Sequence, residues 1–389
     1  MTQHRRNNSP ALFVAILALA NPGALTAQEA APAAPAPAPT PATPATPPPA
    51  ADAAAPASPP VRPGAENTVL ENEITPALDT AVTRGLEALA KQQQDDGSFG
   101  SSNLGHNVAI TALAGLAFMS DGNLPGRGRY AQNVERAAQA VLANCTETGL
   151  IAAETAHGPM YGHGYATLFL GEVYGMTRGG DGTALSQRVH ESLVKAVRLI
   201  VQTQNEEGGW RYNPVPNDAD VSVTICQVMA LRSARNAGLE VPRGTIDRAV
   251  QYVRLCQAED GGFKYQLSRG GSLWPRSAAG VASLQYAGIY QDQAVERGIK
   301  YLLDNAFPGR NPEGIGAHYF YGHYYAVQAM YLHGGEPWAR WWPAAREEIL
   351  ARQGANGLWD DNSIGEAYGT ASALIILQMP KRYLPIFQK

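Results

Sequence analysis

Two kinds of helical segment alternate along the chain from Leu78 onward. Segments such as Ser192–Gln204 and Ile246–Gln257 carry apolar residues three and four positions apart, which is the spacing of one helix face. Segments such as Val221–Arg232 and Ala326–Leu332 are apolar almost all round, as a helix is when it is buried on every side. The alternation predicts helix pairs, each with an amphipathic outer helix followed by a buried inner helix.

A recurring turn joins the two helices of each pair. It reads Gln-x-x-x-Gly-x-aromatic and begins at Gln93, Gln204, Gln257 and Gln353. Weaker copies begin at Cys145 and run from Asn305 to Gly314. Because glycine is favoured just past a helix C-terminus, the motif marks the end of each outer helix. Six such pairs predict an all-α protein of about twelve helices, closed into a single α/α toroid.

Residues 1–27 have the layout of a secretory signal peptide. A positive start with Arg5 and Arg6 is followed by an apolar run, Ala11–Ala20, and by small residues around Ala27. The pattern predicts export to the periplasm or the cell exterior.

Residues 28–70 are dominated by alanine and proline. Proline fixes φ and removes a backbone N–H, so neither a helix nor a sheet is expected here. The composition predicts an extended, disordered linker. It either holds the folded part away from a cell surface or a partner, or is a dispensable tail. Residues 71–389 then form the toroid.

The overall composition excludes several classes of protein. Hydrophobic residues make up 45% and charged residues 16% of the chain, which is too apolar for a mostly disordered protein. The formal net charge of -4 gives no basic excess for binding nucleic acid. No run of about 18 apolar residues appears, so we expect no transmembrane segment. Cys145, Cys226 and Cys256 are too scattered for a disulfide framework and are expected to be buried.

Ionisable residues recur at the start of the predicted inner helices. When these helices are superposed, one position is ionisable in every repeat: His106, His163, Asp220, Arg276, His323 and Glu366. In a closed ring these side chains are expected to meet at one mouth of the central cavity, where helix N-termini add positive potential. Two structural interpretations remain open. In the first, Asp220 serves only as the N-cap of its helix. In the second, the six side chains form a salt-bridged collar that holds the ring closed.

Aromatic residues are expected to line the cavity near the same mouth. The candidates are Tyr161, Tyr165, Trp274, Tyr319, Tyr321, Tyr324 and Tyr368. An aromatic lining suits an apolar or isoprenoid ligand, or a sugar stacked on ring faces. The same residues are also typical of an ordinary hydrophobic core.

The repeated turn resembles the QW motif of squalene and oxidosqualene cyclases and, in weaker form, the repeats of protein prenyltransferase beta subunits. The resemblance extends from Leu78 to about Pro380 and makes the chain similar to the prenyltransferase and squalene oxidase repeat family. It implies a terpene-cyclase-like α/α toroid, like the single-barrel C-terminal domain of squalene-hopene cyclases. Because QW elements are structural, the resemblance implies the fold more directly than the activity.

Asp218–Ser222 resembles the Asp-x-Asp-Asp-Thr motif of squalene-hopene cyclases. In that family the middle aspartate protonates an alkene, so the resemblance implies that Asp220 is the catalytic general acid and that Asp218 belongs to the ligand site. Val221 stands where the motif has its last carboxylate, and Ser222 where it has threonine. A strong acid needs neighbouring groups that stabilise its conjugate base, so the lost carboxylate argues against a fully cyclase-like site.

A zinc centre of the prenyltransferase kind is not expected. That zinc is bound by an Asp-x-Cys pair and a later histidine, whose surroundings resemble Phe320–His323. The Asp-x-Cys position is occupied by Arg276, Ser277 and Ala278, so the other ligands are missing. A different zinc site, formed by His106, His163 and His323, has suitable donor chemistry and stays open as an alternative, although the spacing of these residues around the ring gives it little support. We therefore expect no metal and no cofactor.

Three classes of function follow. The first is an exported toroid that binds an isoprenoid or other apolar small molecule in its cavity. In this class Asp220 either catalyses a reaction as an acid or only contributes to binding. If the protein is an enzyme, it is expected to be a terpene cyclase or mutase, of the isomerase or transferase class. The second is a noncatalytic toroid that binds an envelope protein partner and has a cavity plugged by side chains. The third is a carbohydrate-active toroid that uses Asp220 and Glu366 across a cleft, about 5–9.5 Å apart.

Overall fold

The computed structural model describes residues 73–100, 104–153, 155, 158–177, 183–310 and 318–389. The predicted signal peptide (1–27) and linker (28–70) lie outside the described residues, as does part of the fifth turn, which was expected to end at Gly314. None of the described helices is both long enough and apolar enough to cross a membrane.

Twelve α-helices run through the described residues and fall into the predicted outer and inner sets. The outer helices are α1 (Pro76–Lys91), α3 (Ala131–Ala143), α5 (Ala184–Gln202), α7 (Arg243–Leu255), α9 (Gln293–Asn305) and α11 (Gly335–Leu350). The inner helices are α2 (Val108–Met119), α4 (Met160–Met176), α6 (Val221–Asn236), α8 (Trp274–Tyr286), α10 (Tyr319–His333) and α12 (Glu366–Leu377). Each outer helix precedes its inner helix, as the sequence predicts.

The inner helices form a closed ring. Each one contacts the next inner helix along the chain, and α12 returns to contact α2. The outer helices pack against the inner ones as a second layer, for example α9 on α8 and α3 on α2. This arrangement confirms the predicted all-α fold and the α/α toroid.

Burial explains why the two sets of helices differ in sequence. Helix α2 is buried at every position from Ile110 to Met119. Helix α9 buries only one face, with Val295, Ile299 and Leu302 at three- and four-residue spacing. Full burial of such an aliphatic side chain contributes about 1.5–3 kcal/mol, so the inner helices supply most of the core.

The glutamine that opens each turn links two repeats. Gln204 Nε2 donates to the Gly208 carbonyl of its own turn at 2.8 Å and to the Thr245 carbonyl, in the first turn of the next outer helix, at 2.9 Å. Gln93 and Gln257 make the same pair of hydrogen bonds in their repeats. We call this pair of bonds the glutamine clamp.

The clamp of the last repeat closes the ring. Gln353 Nε2 donates to the Gly357 carbonyl at 2.8 Å and to the Ala81 carbonyl of α1 at 2.9 Å. The final repeat is therefore fixed to the first by the same contact that joins successive repeats.

The turn glycine allows close approach between repeats. Gly261 has a φ of 87°, in the left-handed region that glycine adopts without strain. A Cβ atom at this position would lie 2.6 Å from the Arg297 carbonyl oxygen of α9. A larger residue would therefore push the turn away from the next outer helix.

A C-terminal segment covers the C-terminal ends of the inner helices. It contains two 3-10 turns, Met379–Lys381 and Pro385–Phe387, and the second contacts α6. The Ile386 N–H donates to Glu172 Oε2 at 3.1 Å, and the Ser233 hydroxyl donates to Oε1 at 2.7 Å. Burial raises the pKa of Glu172 to about 7.

All three cysteines are free. Cys226 and Cys256 are buried as predicted, whereas Cys145 is half-buried. Cys145 stands at the turn position that glutamine occupies in other repeats, whereas Cys256 is the C-cap of α7.

We expect Gln353→Met to lower the free energy of unfolding by about 1–3 kcal/mol. The substitution keeps the side-chain length but leaves the Ala81 and Gly357 carbonyls without their donor. Denaturant titration followed by circular dichroism measures the change. Gln187→Met is the control, because Gln187 is exposed and bonds to Glu191 within its own helix. Equal stability of the two variants would contradict a role for the clamp in closing the ring.

Candidate functional site

The six aligned ionisable residues do not share one register in the structure. In each described turn a backbone N–H, two residues after the turn glycine, donates to a side chain near the start of the next helix. The acceptors are Thr111, His163, Thr224, Ser277 and Thr370. His163 is therefore equivalent to Thr224, one helical turn after Asp220. The prediction of a single register is wrong, because similar Gly-His pairs lie before α2 and inside α4.

His106 and His163 lie in different surroundings. His106 is exposed before α2, where its Nδ1 lies 2.8 Å from Asp96 Oδ2 and 3.0 Å from Ser98 Oγ. His163 is fully buried, and its Nδ1 accepts the Ile151 N–H at 3.1 Å. Burial lowers the pKa of His163 to about 4. His163 is therefore neutral at neutral pH and takes the role that threonine has in other turns.

His323 and Trp274 pack against each other where α8 and α10 begin. Their ring centroids are 5.2 Å apart, and the Tyr319 ring lies 4.4 Å from His323. His323 has no exposed surface, and burial lowers its pKa to about 4. These side chains form a packed aromatic group and are absent from the wall of the mouth pocket described below.

Glu366 and Asp220 do not form an open carboxylate pair. Glu366 Oε1 accepts from Asn356 Nδ2 at 2.9 Å, and Oε2 accepts from Gln92 Nε2 at 3.3 Å. Asp220 has no exposed surface at all. The carbohydrate-active interpretation needs both groups to reach a sugar or a water molecule, which buried Asp220 does not.

Asp220 caps α6 and anchors a buried polar cluster. Its Oδ1 accepts the Val223 N–H at 2.9 Å, so it makes the N-cap contact considered from the sequence. Its Oδ2 accepts from the Tyr265 hydroxyl at 3.3 Å and lies 3.6 Å from Arg211 Nε. Burial raises the pKa of Asp220 to about 7, although these donors act in the opposite direction. The carboxyl group is therefore partly protonated at neutral pH.

Three residues that were not singled out from the sequence complete this cluster. Arg211 pairs with Asp218, and the Tyr212 and Tyr265 hydroxyl groups share a hydrogen bond. Arg211 also lies over the Tyr212 ring, 4.8 Å from its centroid. A signal for the tyrosines was present, because each stands two residues after the aromatic of its turn, in Gly-Gly-Trp-Arg-Tyr and Gly-Gly-Phe-Lys-Tyr.

Arg276 lies beside this cluster. The residue is only 4% exposed, and its guanidinium carbon is 5.8 Å from the Tyr265 ring centroid. Burial lowers the pKa of Arg276, while the charge of Asp220 raises it. Of the six ionisable residues, the structure thus brings Asp220 and Arg276 into one group, around Tyr265.

Tyrosines from facing inner helices fill the middle of the ring. The Tyr165 and Tyr325 hydroxyl oxygens are 2.8 Å apart and link α4 to α10. Tyr325 Oη also lies 3.4 Å from the Cys226 Sγ of α6. The Tyr321 hydroxyl donates to the Ser222 carbonyl at 3.4 Å. These contacts cross the ring and plug its axis.

One small pocket opens between the N-terminal ends of α2 and α4 and the facing ends of α10 and α12. Four of the predicted aromatic residues line it: Tyr161, Tyr165, Tyr321 and Tyr368. Val108, Leu113 and Ile364 are among its apolar wall residues. Its volume is about 70 Å³, far below the roughly 300–1,000 Å³ of a drug-sized ligand site. We call this pocket the tyrosine mouth.

Comparison with known proteins supports the fold. No protein-family model and no curated protein sequence matches the chain. The type II terpene cyclase MstE from Scytonema is similar at 16% identity, with a TM-score of 0.53 over 80% of this chain and 100% of that chain. Cellobiose 2-epimerase from Bacillus thermoamylovorans has 11% identity and a TM-score of 0.58, over 78% and 99% of the two chains. D-mannose isomerase has 12% identity and a TM-score of 0.56, over 79% and 97%. At these identities the likeness shows an α/α toroid and no particular activity.

We expect Asp220→Asn to reduce the pH dependence of stability between about pH 4 and pH 7. The folded-state pKa of about 7 lies above the ordinary aspartate pKa of 3.8, so the folded state binds more protons in this window. Stability contributed by Asp220 is therefore full at low pH and is lost as the pH rises toward 7. Asparagine keeps a cap acceptor for the Val223 N–H but does not titrate.

The free energy of unfolding, measured with urea across this pH range, tests the expectation. Glu172→Gln is the matched comparison, because Glu172 is a second buried carboxyl with a pKa of about 7. Each variant should flatten the pH profile in part, and the double variant should flatten it further. An unchanged profile for Asp220→Asn would mean that Asp220 stays ionised in the folded state.

Proposed function

We propose that this protein is an exported binding toroid that holds the end of an isoprenoid or other apolar chain in the tyrosine mouth. The observation that supports it is the tyrosine mouth itself, a pocket of about 70 Å³ whose wall is built from tyrosine and aliphatic side chains. A pocket of this size accepts a small branched apolar group rather than a whole folded polyene. The plugged axis below it, with the Tyr165, Tyr325 and Cys226 contacts, is what the protein-binding class predicts and therefore favours that alternative. Export rests on the predicted signal peptide at residues 1–27.

The chemistry of the wall supports an apolar ligand. Tyrosine rings present large apolar faces, and Tyr165 and Tyr321 direct their hydroxyl groups to partners within the ring. Val108 and Leu113 continue the apolar surface. An apolar side chain from an envelope protein partner would meet the same wall, which keeps protein binding as the alternative to a small molecule.

We expect an apolar compound to co-purify with the wild-type protein and to be lost from Ala109→Trp. Ala109 lines the tyrosine mouth and is only partly buried, so the larger side chain fills the pocket while the inner helix remains intact. Organic extraction followed by mass spectrometry measures the bound compound. Ala351→Trp is the control, because Ala351 is exposed at the end of α11.

Retention of the compound by Ala109→Trp would contradict binding in the tyrosine mouth. Recovery of a stoichiometric protein instead of a small molecule, again lost from Ala109→Trp, would favour the protein-binding alternative.

One observation favours a second candidate, acid catalysis by Asp220. Its pKa of about 7 keeps part of the population protonated at neutral pH, as a general acid requires. A type II terpene cyclase has a similar fold, and a variant of it was solved in complex with geranylgeranyl dihydroxybenzoate. For Asp220 to meet an alkene here, Arg211 and the Tyr212–Tyr265 pair would have to move away from it.

We expect the wild-type protein to leave squalene and geranylgeranyl dihydroxybenzoate unchanged, because the Asp220 carboxyl has no exposed surface. Mass spectrometry of the extracted incubation measures cyclised products. Products formed by the wild type and by Glu172→Gln, but not by Asp220→Asn, would establish the second candidate and overturn the first.

A further inference from the structure

Arg276 is a buried cation for which the described residues supply no anion. The residue is 4% exposed, and it takes part in none of the ion pairs within the described ranges. Its Nε and Nη1 atoms donate no hydrogen bond. Buried polar groups are nearly always hydrogen-bonded, and buried charges are nearly always paired, so this side chain calls for an explanation.

The neighbours of Arg276 offer aromatic rings instead of a free carboxylate. Tyr265 lies beneath the guanidinium, and the Tyr301 and Tyr321 phenols are close enough to act on it electrostatically. Asp220 also acts on Arg276, but its Oδ2 is already held by Tyr265 and lies beside Arg211. The Asp220 carboxyl group is therefore committed elsewhere.

In two other repeats, the residue at the position equivalent to Arg276 lines the tyrosine mouth. Arg276 immediately precedes Ser277, which accepts the turn N–H. The residues that precede the same acceptor in α2 and α4 are Ile110 and Gly162, and both line the tyrosine mouth. The corresponding residue of α6 is Val223, a buried apolar side chain. The fold therefore does not require a charge at this position.

An exposed glycine lies close to both the guanidinium and Tyr265. A Cβ atom at Gly270 would be 3.2 Å from Arg276 Nη1. Gly270 and Gly271 are both exposed, so Nη1 lies just beneath a surface loop without bulky side chains at its nearest point. Tyr321, which lines the mouth, is a neighbour of the same guanidinium. Arg276 itself is not among the residues that line the mouth, so Tyr321 is the side chain that connects the two.

We infer that Arg276 binds an oxyanion, either a carboxylate or a phosphate, on the ligand whose apolar end lies in the tyrosine mouth. This inference rests on the proposed function, because it names a second chemical feature of the same ligand. Guanidinium N–H groups form strong, charge-assisted hydrogen bonds with both kinds of oxyanion. Such a partner would also satisfy the donors that the folded chain leaves unused.

Three probes with the same branched apolar end test the charge requirement: isoamyl alcohol, isovalerate and isoamyl phosphate. Isothermal titration calorimetry of the full chain measures the dissociation constant of each. We expect at least one anion to bind the wild type about 10-fold or more tighter than the alcohol. The Arg276→Gln variant should bind all three probes with similar affinity. The better of the two anions identifies the oxyanion.

Two variants control for general charge effects. Arg254→Gln removes an exposed arginine of α7 that pairs with Asp292, and it should keep the preference for the anion. Arg276→Lys keeps a cation and should recover part of the preference. Loss of the preference in Arg254→Gln would overturn the assignment to Arg276.

Thermal unfolding of the ligand-free proteins separates binding from a structural role. Removal of an unpaired buried charge should leave the Tm of Arg276→Gln unchanged or raised. A lower Tm together with an unchanged preference for the anion would assign Arg276 to the fold and overturn the inference.

The failure of this inference can be told apart from failure of the proposed function. Binding of the alcohol to the wild type, blocked in Ala109→Trp but with no gain for either anion, overturns the role of Arg276 alone. Binding of no probe to the tyrosine mouth contradicts the proposed function and the inference with it.

Discussion

The glutamine clamp is the contact on which the ring depends. A helix pair buries only part of its inner helix, so it needs a neighbouring pair on each side to complete its core. The clamp fixes neighbouring pairs to each other, because the side chain of one glutamine at the end of an outer helix donates to a backbone carbonyl in the first turn of the next outer helix. At Gln353 the next outer helix is α1, and the same contact turns a row of repeats into a closed ring without an exposed end.

Closure of the ring also limits the volume of the cavity at its centre. Six inner helices that contact one another around a closed circuit direct their inward side chains at a narrow axis. Tyrosine suits that axis because its ring fills apolar space and its hydroxyl group reaches a partner on a facing helix, as Tyr165 does with Tyr325. This packing fills the axis between α4, α6 and α10, and the tyrosine mouth is the pocket that lies at its end. The contacts that complete the fold therefore limit the size of any ligand.

The fold could be predicted from the sequence because its signals repeat, while most of the site could not. Every full copy of the turn carries the glutamine and glycine whose hydrogen bonds the structure shows, so Gln93 and Gln353 could be interpreted alike. The role of His163 depends on which backbone N–H its ring meets, and its local sequence closely resembles that of exposed His106. The Tyr212–Tyr265 contact joins residues 53 positions apart, which meet only because α6 and α8 are neighbours in the ring.

Asp220 and Arg276 are both buried ionisable residues, but they differ in whether they can become neutral. Asp220 receives a cap hydrogen bond and a tyrosine donor, and its raised pKa lets it shed its charge when burial is unfavourable. Arginine stays charged at every ordinary pH, so Arg276 has no such release. An apolar residue would serve the core better at this position, as Val223 does one inner helix earlier. A guanidinium that the described residues leave unpaired is expected to cost stability at this position. The same position borders the tyrosine mouth in α2 and α4, and for this reason we propose ligand recognition as the role of Arg276.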